Sequence, residues 1–363
     1  MLRKLFFAVL AMLFIVSVKA QDSTAVKPTP TITGSVDGYY RYNFLNAKDQ
    51  GDFNNWTSFT NSQNSFELGM ASVKLDHSFG KAGVVLDLGF GKRAEEFSYN
   101  DRTFSVDGAG NTTSSPTLLA AIKQAYVTLS PSDKVKFTLG KFGTHVGYEL
   151  LDPQLNRNYS MSYMFSYGPF FHTGLKIDVA PSDNFSFMVG IANPTDYSTA
   201  SFARKFFLAQ LHAASSSGAI SGYLNYVGGK DMLDITNNQF DLVVTGKVSD
   251  MFSIGYNGTV KTAKPSGGTS GTFWGSALYL NVDPSSKFGL TLRGEYFDDK
   301  DNITGYIGTS VFEGTLSANV KFGGLTIIPE FRLDSGKDNL FVKNSGDPTK
   351  SAGTFILAAV YSF

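Results

Sequence analysis

Apolar and polar residues alternate with a period of two in many short segments of this chain. At the C-terminus, for example, Phe355, Leu357 and Tyr361 fall on one face of such a segment, while Thr354 and Ser362 fall on the other. Side chains of a β-strand point alternately to opposite faces, whereas the pattern of a helix repeats every 3.6 residues. The period therefore predicts strands and not helices.

Sixteen segments of about ten residues carry this alternation. We expect strands near 31–44, 65–79, 82–94, 118–130, 134–142, 170–180, 185–193, 202–214, 219–229, 238–248, 251–262, 271–283, 287–298, 308–322, 324–335 and 352–363. Pro329 lies inside one of these segments and lacks the N–H that a strand ladder needs. We expect either a bulge at Pro329 or an error in the strand limits there.

Short and long connections alternate between the predicted strands. The short ones are the turn-forming stretches "FGKAG", "SPSDK", "APSDN", "ASSSG", "VSDM", "DPSSK" and "FGG". The long ones span 45–64, 95–117, 144–169, 194–201, 230–237, 263–270, 299–307 and 336–351. A membrane barrel with both termini in the periplasm shows this alternation of tight periplasmic turns and longer extracellular loops. A soluble β-sandwich, the alternative, has no reason to sort its loops in this way.

The lengths of the apolar runs restrict how the chain could cross a membrane. After the N-terminal region the longest wholly apolar run has about six residues, whereas a helical span needs roughly 20. A closed β-barrel is the other arrangement that satisfies every backbone hydrogen bond in lipid. The sequence thus predicts an all-β fold, a transmembrane antiparallel β-barrel of about 16 strands.

Charged residues gather on one face of the predicted strands. Glu330 and Arg332 alternate with apolar residues, and Leu292 lies between Thr291 and Arg293. An unpaired charge in a dry core costs several kcal/mol, so this face needs water. Sixteen strands enclose an aqueous channel, whereas eight are filled by their own side chains. We predict an open or partly narrowed pore, lined by Asp37, Arg41, Lys74, Asp87, Arg93, Asp241, Lys247, Arg293, Glu295, Glu330 and Arg332.

The first 20 residues have a composition unlike the rest of the chain. A basic start at Arg3 and Lys4 precedes an apolar run and a small-residue exit at Ala20. This order is typical of a secretory signal peptide, and the run is short for the alternative, a retained membrane anchor. We therefore expect a signal peptide at 1–20, a flexible lead-in at 21–30 and the barrel at 31–363.

Charge and cysteine content exclude several classes of function. Loss of Arg3, Lys4 and Lys19 leaves 28 of the 31 basic residues against 31 acidic ones, which is not the charge of a nucleic-acid-binding protein. The absence of cysteine rules out disulfides and thiolate metal sites. The four histidines are far apart in the sequence and lack ligand spacing, so we expect neither a metal site nor a cofactor.

One long stretch of the chain resembles a known family. "QAYV", "GKF", "NRNYSMSY" and "GPFFHTG", within about 118–190, are similar to motifs of the OmpL-like β-barrel porin family of Gram-negative outer membranes, common in Bacteroidetes. The resemblance implies a porin-type barrel in the outer membrane, with membrane lipid and small hydrophilic solutes as partners. Porins of this architecture are frequently homotrimers, and we expect the same assembly here.

The longest loop, 144–169, is the third outside loop. In sixteen-stranded general porins this loop folds inward and narrows the channel, so the resemblance implies a constriction that carries Glu149, Asp152 and Arg157. We expect Glu149 and Asp152 to face basic wall residues and to create a transverse field that orients polar solutes. The alternative is a loop packed over the mouth or against a neighbouring protomer.

The leading functional hypothesis is passive diffusion of small hydrophilic solutes, with at most weak ion selectivity. An outer-membrane enzyme is a second class, but no convincing Ser/His/Asp set can be assembled from the sequence. A third class is an occluded barrel that acts as a receptor, a hydrophobic-compound transporter or a structural protein. The lead-in at 21–30 is too short for a plug, which argues against transporters that use one.

Overall fold

The computed structural model describes residues 28–106 and 112–363. The expected signal peptide at 1–20 and most of the expected lead-in at 21–30 lie outside the described residues. Among the described residues, no helix combines the length and the apolar character that a membrane crossing requires.

Sixteen of the twenty strands close into one antiparallel barrel, in the order β1, β2, β3, β6 to β17, β20. The strands are β1 Thr31–Asn43, β2 Ser65–Phe79, β3 Ala82–Phe90, β4 Arg102–Val106, β5 Thr112–Pro116, β6 Ile122–Ser132, β7 Val135–Gly143, β8 Phe171–Ser182, β9 Phe185–Ala192, β10 Phe206–Ala214, β11 Ile220–Lys230, β12 Thr236–Lys247, β13 Phe252–Lys264, β14 Gly271–Ser285, β15 Phe288–Asp298, β16 Ser310–Phe322, β17 Leu325–Gly336, β18 Phe341–Val342, β19 Pro348–Thr349 and β20 Ser351–Ser362. The prediction of a sixteen-stranded antiparallel barrel is confirmed.

The last strand closes the barrel. β20 pairs with β17 on one side and with β1 on the other, so that Tyr361 lies opposite Leu325 and Val36. The backbone of Phe363 then exchanges two hydrogen bonds of 3.0 Å with Gly34. Closure leaves no barrel strand with an unpaired edge, which is the condition for placing a sheet in lipid.

Short and longer connections alternate around the barrel as the sequence predicts, except that 215–219 and 231–235 each have five residues. The tight connections are 80–81, 133–134, 183–184, 215–219, 248–251, 286–287 and 323–324, and the long ones are 44–64, 91–121, 144–170, 193–205, 231–235, 265–270, 299–309 and 337–350. The two hairpins β4–β5 and β18–β19 lie within long loops and not in the barrel.

One predicted strand, 82–94, ends earlier than expected. β3 stops at Phe90, Gly91 adopts a positive φ of 115°, and Lys92–Phe97 forms a short helix. A positive φ suits glycine and breaks a strand, and the Lys-Arg-Ala-Glu-Glu run that follows favours a helix. The expectation that Arg93 projects from a barrel strand is therefore wrong, because Arg93 lies on this helix.

Pro329 does not produce the bulge that the sequence suggested. The pairing of β17 with β20 runs through Pro329 without a change of register. Pairing with β16 is interrupted between Glu330 and Ile327 but resumes in the same register. The missing N–H thus interrupts the ladder on one side of the strand without displacing it.

The two faces of the barrel differ in chemistry. On β15, Leu292 is 47% exposed on the outer face, while Arg293 is completely buried inside. The same contrast holds for Phe331 and Leu333 outside against Glu330 and Arg332 inside β17. Apolar side chains outside and polar ones inside are the arrangement of a barrel that sits in lipid.

Leu292→Arg should test this assignment of faces. A charge on the lipid face near the middle of the membrane costs about 2–4 kcal/mol, so we expect the free energy of unfolding in phospholipid vesicles to fall by that amount. Thr128→Lys is the matched control, because Thr128 lines a cavity inside the barrel. Equal destabilisation by both substitutions would contradict the assignment.

Candidate functional site inside the barrel

Residues 144–170, here called the lumen loop, join β7 to β8 and enter the interior of the barrel. Near its start the loop follows the wall: the His145 ring lies 3.0 Å from the carbonyl oxygen of Tyr226, and the Gly147 N–H donates to the Asp241 carboxylate at 3.0 Å. Asp241 is buried and also accepts hydrogen bonds from the side chains of Asn225 and Asn257. The loop therefore lies against inward-facing wall residues and not over the mouth.

Glu330 on β17 holds the middle of the lumen loop. Its two carboxylate oxygens accept the N–H groups of Tyr159 at 2.7 Å and of Ser160 at 3.0 Å. The hydroxyl of Ser317 on β16 donates to the same carboxylate at 2.7 Å. Glu330 is completely buried, so these three donors replace the water that an ionised carboxylate would otherwise require.

Glu295 on β15 holds the next turn of the loop in the same way. It accepts the N–H groups of Tyr163 at 2.7 Å and Met164 at 2.8 Å. These residues begin the four-residue helix Tyr163–Ser166, whose first N–H groups have no partner within the helix. Ser162 caps the helix by accepting from Phe165. We call Glu330 and Glu295 the clamp carboxylates, since together they bind four amides of the loop.

Arg293 lies between the loop and the wall and is completely buried. It forms ion pairs with Glu149 of the loop at 2.6 Å and with Glu313 of β16. It also donates to the carbonyl oxygen of Ser160 at 2.7 Å. Glu149 in turn accepts from the N–H and hydroxyl of Ser162, each at 2.8 Å. The expected contact between Glu149 and a basic wall residue is present, and its partner is Arg293.

Two further wall charges contact the loop. Arg332 on β17 donates to the carbonyl oxygen of Met161 at 2.6 Å and pairs with Asp334 at 2.7 Å. Asp37 on β1 accepts the hydroxyl of Tyr159 at 2.5 Å. The phenol of Tyr163 donates to Asp334 at 2.9 Å. These contacts extend the attachment of the loop from β15 across the closure of the barrel to β1.

Arg93, on the helix after β3, is buried beneath the loop. Its guanidinium donates to the carbonyl oxygens of Leu151 at 3.1 Å and Tyr159 at 3.3 Å. It also lies 4.9 Å from the ring centre of Phe59 and 5.0 Å from that of Tyr159. Arg93 therefore supports the loop from another long loop instead of from the wall.

Asp152, the second acidic residue expected in the constriction, pairs with Lys123 on β6. Their separation is 2.5 Å, and Lys123 also lies 3.1 Å from Asp87 on β3. The strand phase of "AIKQAYVTL" is ambiguous in the sequence, because small and apolar residues occur on both of its faces. For that reason Lys123 was not recognised from the sequence. Its pairing with Asp87 and Asp152 identifies it in the structure.

Arg41 on β1 is buried but binds a different loop. Its guanidinium donates to the carbonyl oxygens of Ser62 at 2.6 Å, Phe53 at 2.9 Å and Asn54 at 3.2 Å. All three lie in 44–64, so Arg41 anchors the first long loop and not the lumen loop.

The remaining predicted residues are Arg157, Lys74 and Lys247. Arg157 of the lumen loop pairs with Asp283 of β14, with one of its two contacts at 3.0 Å. Lys74 on β2 is half-buried and lies opposite Asp87 in the ladder. Lys247 is exposed at the end of β12 and pairs at 2.7 Å with Asp250 in the adjacent turn. Lys247 thus lies at the rim of the barrel and pairs with a turn residue instead of with the lumen loop.

Asp196, in the loop 193–205, was not recognised from the sequence. It accepts the N–H groups of Phe170 at 2.7 Å and Phe171 at 2.9 Å, and the phenol of Tyr99 at 3.0 Å. Burial raises the pKa of the Asp196 carboxyl to about 6. Its φ of 65° lies in the left-handed region that aspartate tolerates. Asp196 therefore connects the end of the lumen loop to the loop 193–205 and, through Tyr99, to the loop 91–121.

Two histidines that are far apart in the sequence meet inside the barrel. The rings of His145 and His172 have centres 5.3 Å apart, because the chain returns to β8 beside the start of the lumen loop. Burial lowers the pKa of His145 to about 4. Within the described residues, no group of three or more potential metal ligands is brought together.

Two cavities lie towards opposite ends of the barrel. The larger, about 790 Å³, is at the end of the barrel that carries the long loops and includes Tyr167 and Pro169 in its lining. The smaller, about 300 Å³, is bounded by β2, β3, β6, β7 and β8 towards the tight turns, with Lys136 and Lys176 in its lining. We call the larger cavity the outer chamber, which residues 166–170 of the lumen loop help to line, and the smaller one the inner chamber, which wall residues line.

Comparisons with known proteins agree with the fold. The family profile described as "Putative beta-barrel porin-2, OmpL-like" matches residues 30–363. One similar solved structure is an anion-selective porin from Comamonas acidovorans, with a TM-score of 0.61 and 11% sequence identity over 92% of this chain and 99% of that chain. Another is the outer-membrane channel DcaP of Acinetobacter baumannii, with a TM-score of 0.61 and 13% sequence identity over 93% of this chain and 99% of that chain. A third is OmpT of Vibrio cholerae in its trimer form, with a TM-score of 0.57 and 14% sequence identity over 92% of this chain and 99% of that chain. No curated protein sequence matches significantly.

Removing one clamp carboxylate should make the two loop amides that it binds exchange their hydrogens with solvent more rapidly. Hydrogen bonds to a charged acceptor contribute about 1.5–3 kcal/mol, so Glu330→Ala should speed amide hydrogen exchange at Tyr159 and Ser160 by roughly ten- to a hundredfold. Glu295→Ala should do the same at Tyr163 and Met164. Asp250→Asn is the control and should leave both pairs protected, since Asp250 lies in an exposed turn and pairs with Lys247. If each clamp variant left its own pair as protected as in the parent protein, the clamp interpretation would be wrong.

Proposed function

Since this chain belongs to the OmpL-like β-barrel porin family, we propose that small hydrophilic solutes cross its lumen through a passage that residues 144–170 narrow. The protein is an outer-membrane porin, a channel for passive diffusion. The observation that carries the proposal is the polar inner face of a sixteen-stranded barrel, with the lumen loop attached to it from β1 to β17. A barrel of this size is too wide for its own side chains to fill.

The constriction is built from paired charges. Glu149, Asp152 and Arg157 each pair with a residue of opposite charge on the wall. In the inner chamber Lys176 likewise pairs with Asp178 at 3.0 Å. Because opposite charges compensate one another along the passage, we expect solute size to limit passage and ion selectivity to be weak.

The cellular setting follows from the family and from the surface. The outer membrane of a Gram-negative bacterium is the location, and its lipid contacts the apolar outer face. We propose that residues 1–20 direct export and that no catalytic chemistry accompanies transport. Assembly as a homotrimer is part of the proposal and has a parallel in the trimer form of Vibrio cholerae OmpT.

Releasing the loop should widen the channel. In planar bilayers we expect the parent protein to give stepwise ohmic conductance, and the double variant Glu295→Ala, Glu330→Ala to give larger steps, because four loop amides lose their acceptors. Lys247→Ala is the control, since this rim residue pairs only with Asp250, and it should leave the step size unchanged. Persistent absence of conductance in the parent protein would favour the occluded-barrel alternative, and equal steps in the parent and the double variant would refute the constriction.

The oligomeric state can be tested separately. The detergent-extracted protein should have a native mass of three copies by mass spectrometry, and three conductance steps should close in sequence within one insertion event. A single copy under extraction conditions that keep the barrel folded would refute the homotrimer while leaving the channel proposal intact.

A further inference from the structure

We propose that the outer chamber is a binding site for a neutral oligosaccharide of two or three pyranose rings. This inference rests on the proposed channel function and names its solute class more closely. The chamber measures about 790 Å³, within the range of pockets that bury small ligands. Its lining combines aromatic rings with amide and carboxylate side chains, which is the chemistry that a saccharide requires.

Three aromatic residues from three different loops line the chamber, and we call them the aromatic platform. Its members are Trp56, Tyr167 and Tyr306, all of which line the chamber. The phenol of Tyr167 donates to the carbonyl oxygen of Trp56 at 2.8 Å, and the ring of Tyr306 lies 6.3 Å from that of Tyr167. Tyr306 is 68% exposed. The C–H faces of a pyranose ring are apolar and pack flat on such rings.

The aromatic platform is fixed before any ligand arrives. The indole N–H of Trp56 donates to the carbonyl oxygen of Leu340 at 2.9 Å, and Tyr167 stacks on Phe297 at 5.7 Å. The loop that carries Tyr306 is organised around Asp299, which is completely buried and accepts the N–H of Ile303 at 2.9 Å. A preorganised surface binds without an additional cost in conformational entropy.

Polar groups of the chamber match hydroxyl groups better than ions. Gln239 and Asn237 line the chamber, and their amide nitrogens donate to Thr259 and to Asp231. Their amide oxygens therefore remain as acceptors for sugar hydroxyl groups. The ammonium of Lys261 lines the chamber and forms no hydrogen bond or ion pair with any described residue. The ammonium lies 5.7 Å from the centre of the Phe273 ring, and its N–H groups can donate a hydrogen bond to a sugar oxygen.

The charges of the chamber argue against ionic solutes. Glu96, Asp196 and Asp231 outnumber Lys261 in the lining, so an anion would be repelled on balance. The same carboxylates already accept local donors: Asp231 accepts the N–H groups of Leu233 and Ile235 and the side chain of Asn237. A cation would have to displace those donors and would also face Lys261. A neutral polyhydroxylated solute is not repelled by the carboxylates and does not have to displace the groups that donate to them.

Block of single-channel current tests the site. The probes are maltotriose, cellotriose and mannotriose, added separately on the side of the long loops. We expect at least one to block reversibly and saturably. Tyr306→Ala should weaken that block about tenfold, because the exposed ring provides stacking. Tyr306→Phe should retain it, and Lys261→Met should weaken it. Lys300→Ala is the matched control, since Lys300 lies in the same loop and pairs with Asp298 outside the chamber.

Several outcomes would overturn the inference and leave the channel proposal standing. These are normal conductance without block by any of the three sugars, block that Tyr306→Ala does not change, or tighter block by trigalacturonate than by every neutral probe. If the protein does not conduct, the proposed function fails, and titration calorimetry of the same sugars with the detergent-solubilised protein still decides the inference. Binding that Tyr306→Ala weakens would support the site, and no heat of binding would refute it.

Discussion

Every other feature of this protein follows from the need to pair all backbone N–H and C=O groups within a lipid layer. An antiparallel sheet can satisfy that need only by closing on itself, and here β20 closes it by pairing with β1. Closure with sixteen strands encloses an interior that the wall side chains cannot fill. Whatever occupies that interior has to be water or another part of the same chain, and in the structure the lumen loop occupies much of it.

The lumen loop is attached through apolar packing, for example of Met164 against Phe273, and its backbone is attached through charged side chains of the wall. Glu330, Glu295 and Arg293 are almost fully removed from solvent, and each contacts main-chain groups of the loop. A loop without regular structure has many unpaired backbone groups, which must find partners when water is excluded. Carboxylates and guanidinium groups satisfy two or more such partners at once, whereas leucine or valine would satisfy none. The wall therefore carries charged side chains at the places where it binds the backbone of the loop.

The sequence predicted the barrel well because the features that indicate a barrel are local in the chain. Alternation with a period of two and the order of short and long connections require no knowledge of tertiary contacts. The same alternation placed Glu295 and Glu330 correctly on the inner face. It failed for Arg93, where Gly91 ends the strand, and for Lys123, where both strand faces carry similar residues. Which carboxylate meets which amide depends on the path of the loop through the lumen, and no periodicity encodes that path.

Burial changes what the inner charges can do for a passing solute. Seen in the sequence alone, Arg293 is a pore-lining cation, but its charge is offset by Glu149 and Glu313 and its surface is inaccessible. A solute in the lumen would meet this network of paired charges and not an isolated cation, because opposite charges in contact produce only a weak field a few ångströms away. Discrimination among solutes then falls to groups that remain unpaired. The exposed ring of Tyr306 and the free ammonium of Lys261 are such groups, and both line the outer chamber, which a solute entering from the long-loop side meets before it reaches the constriction.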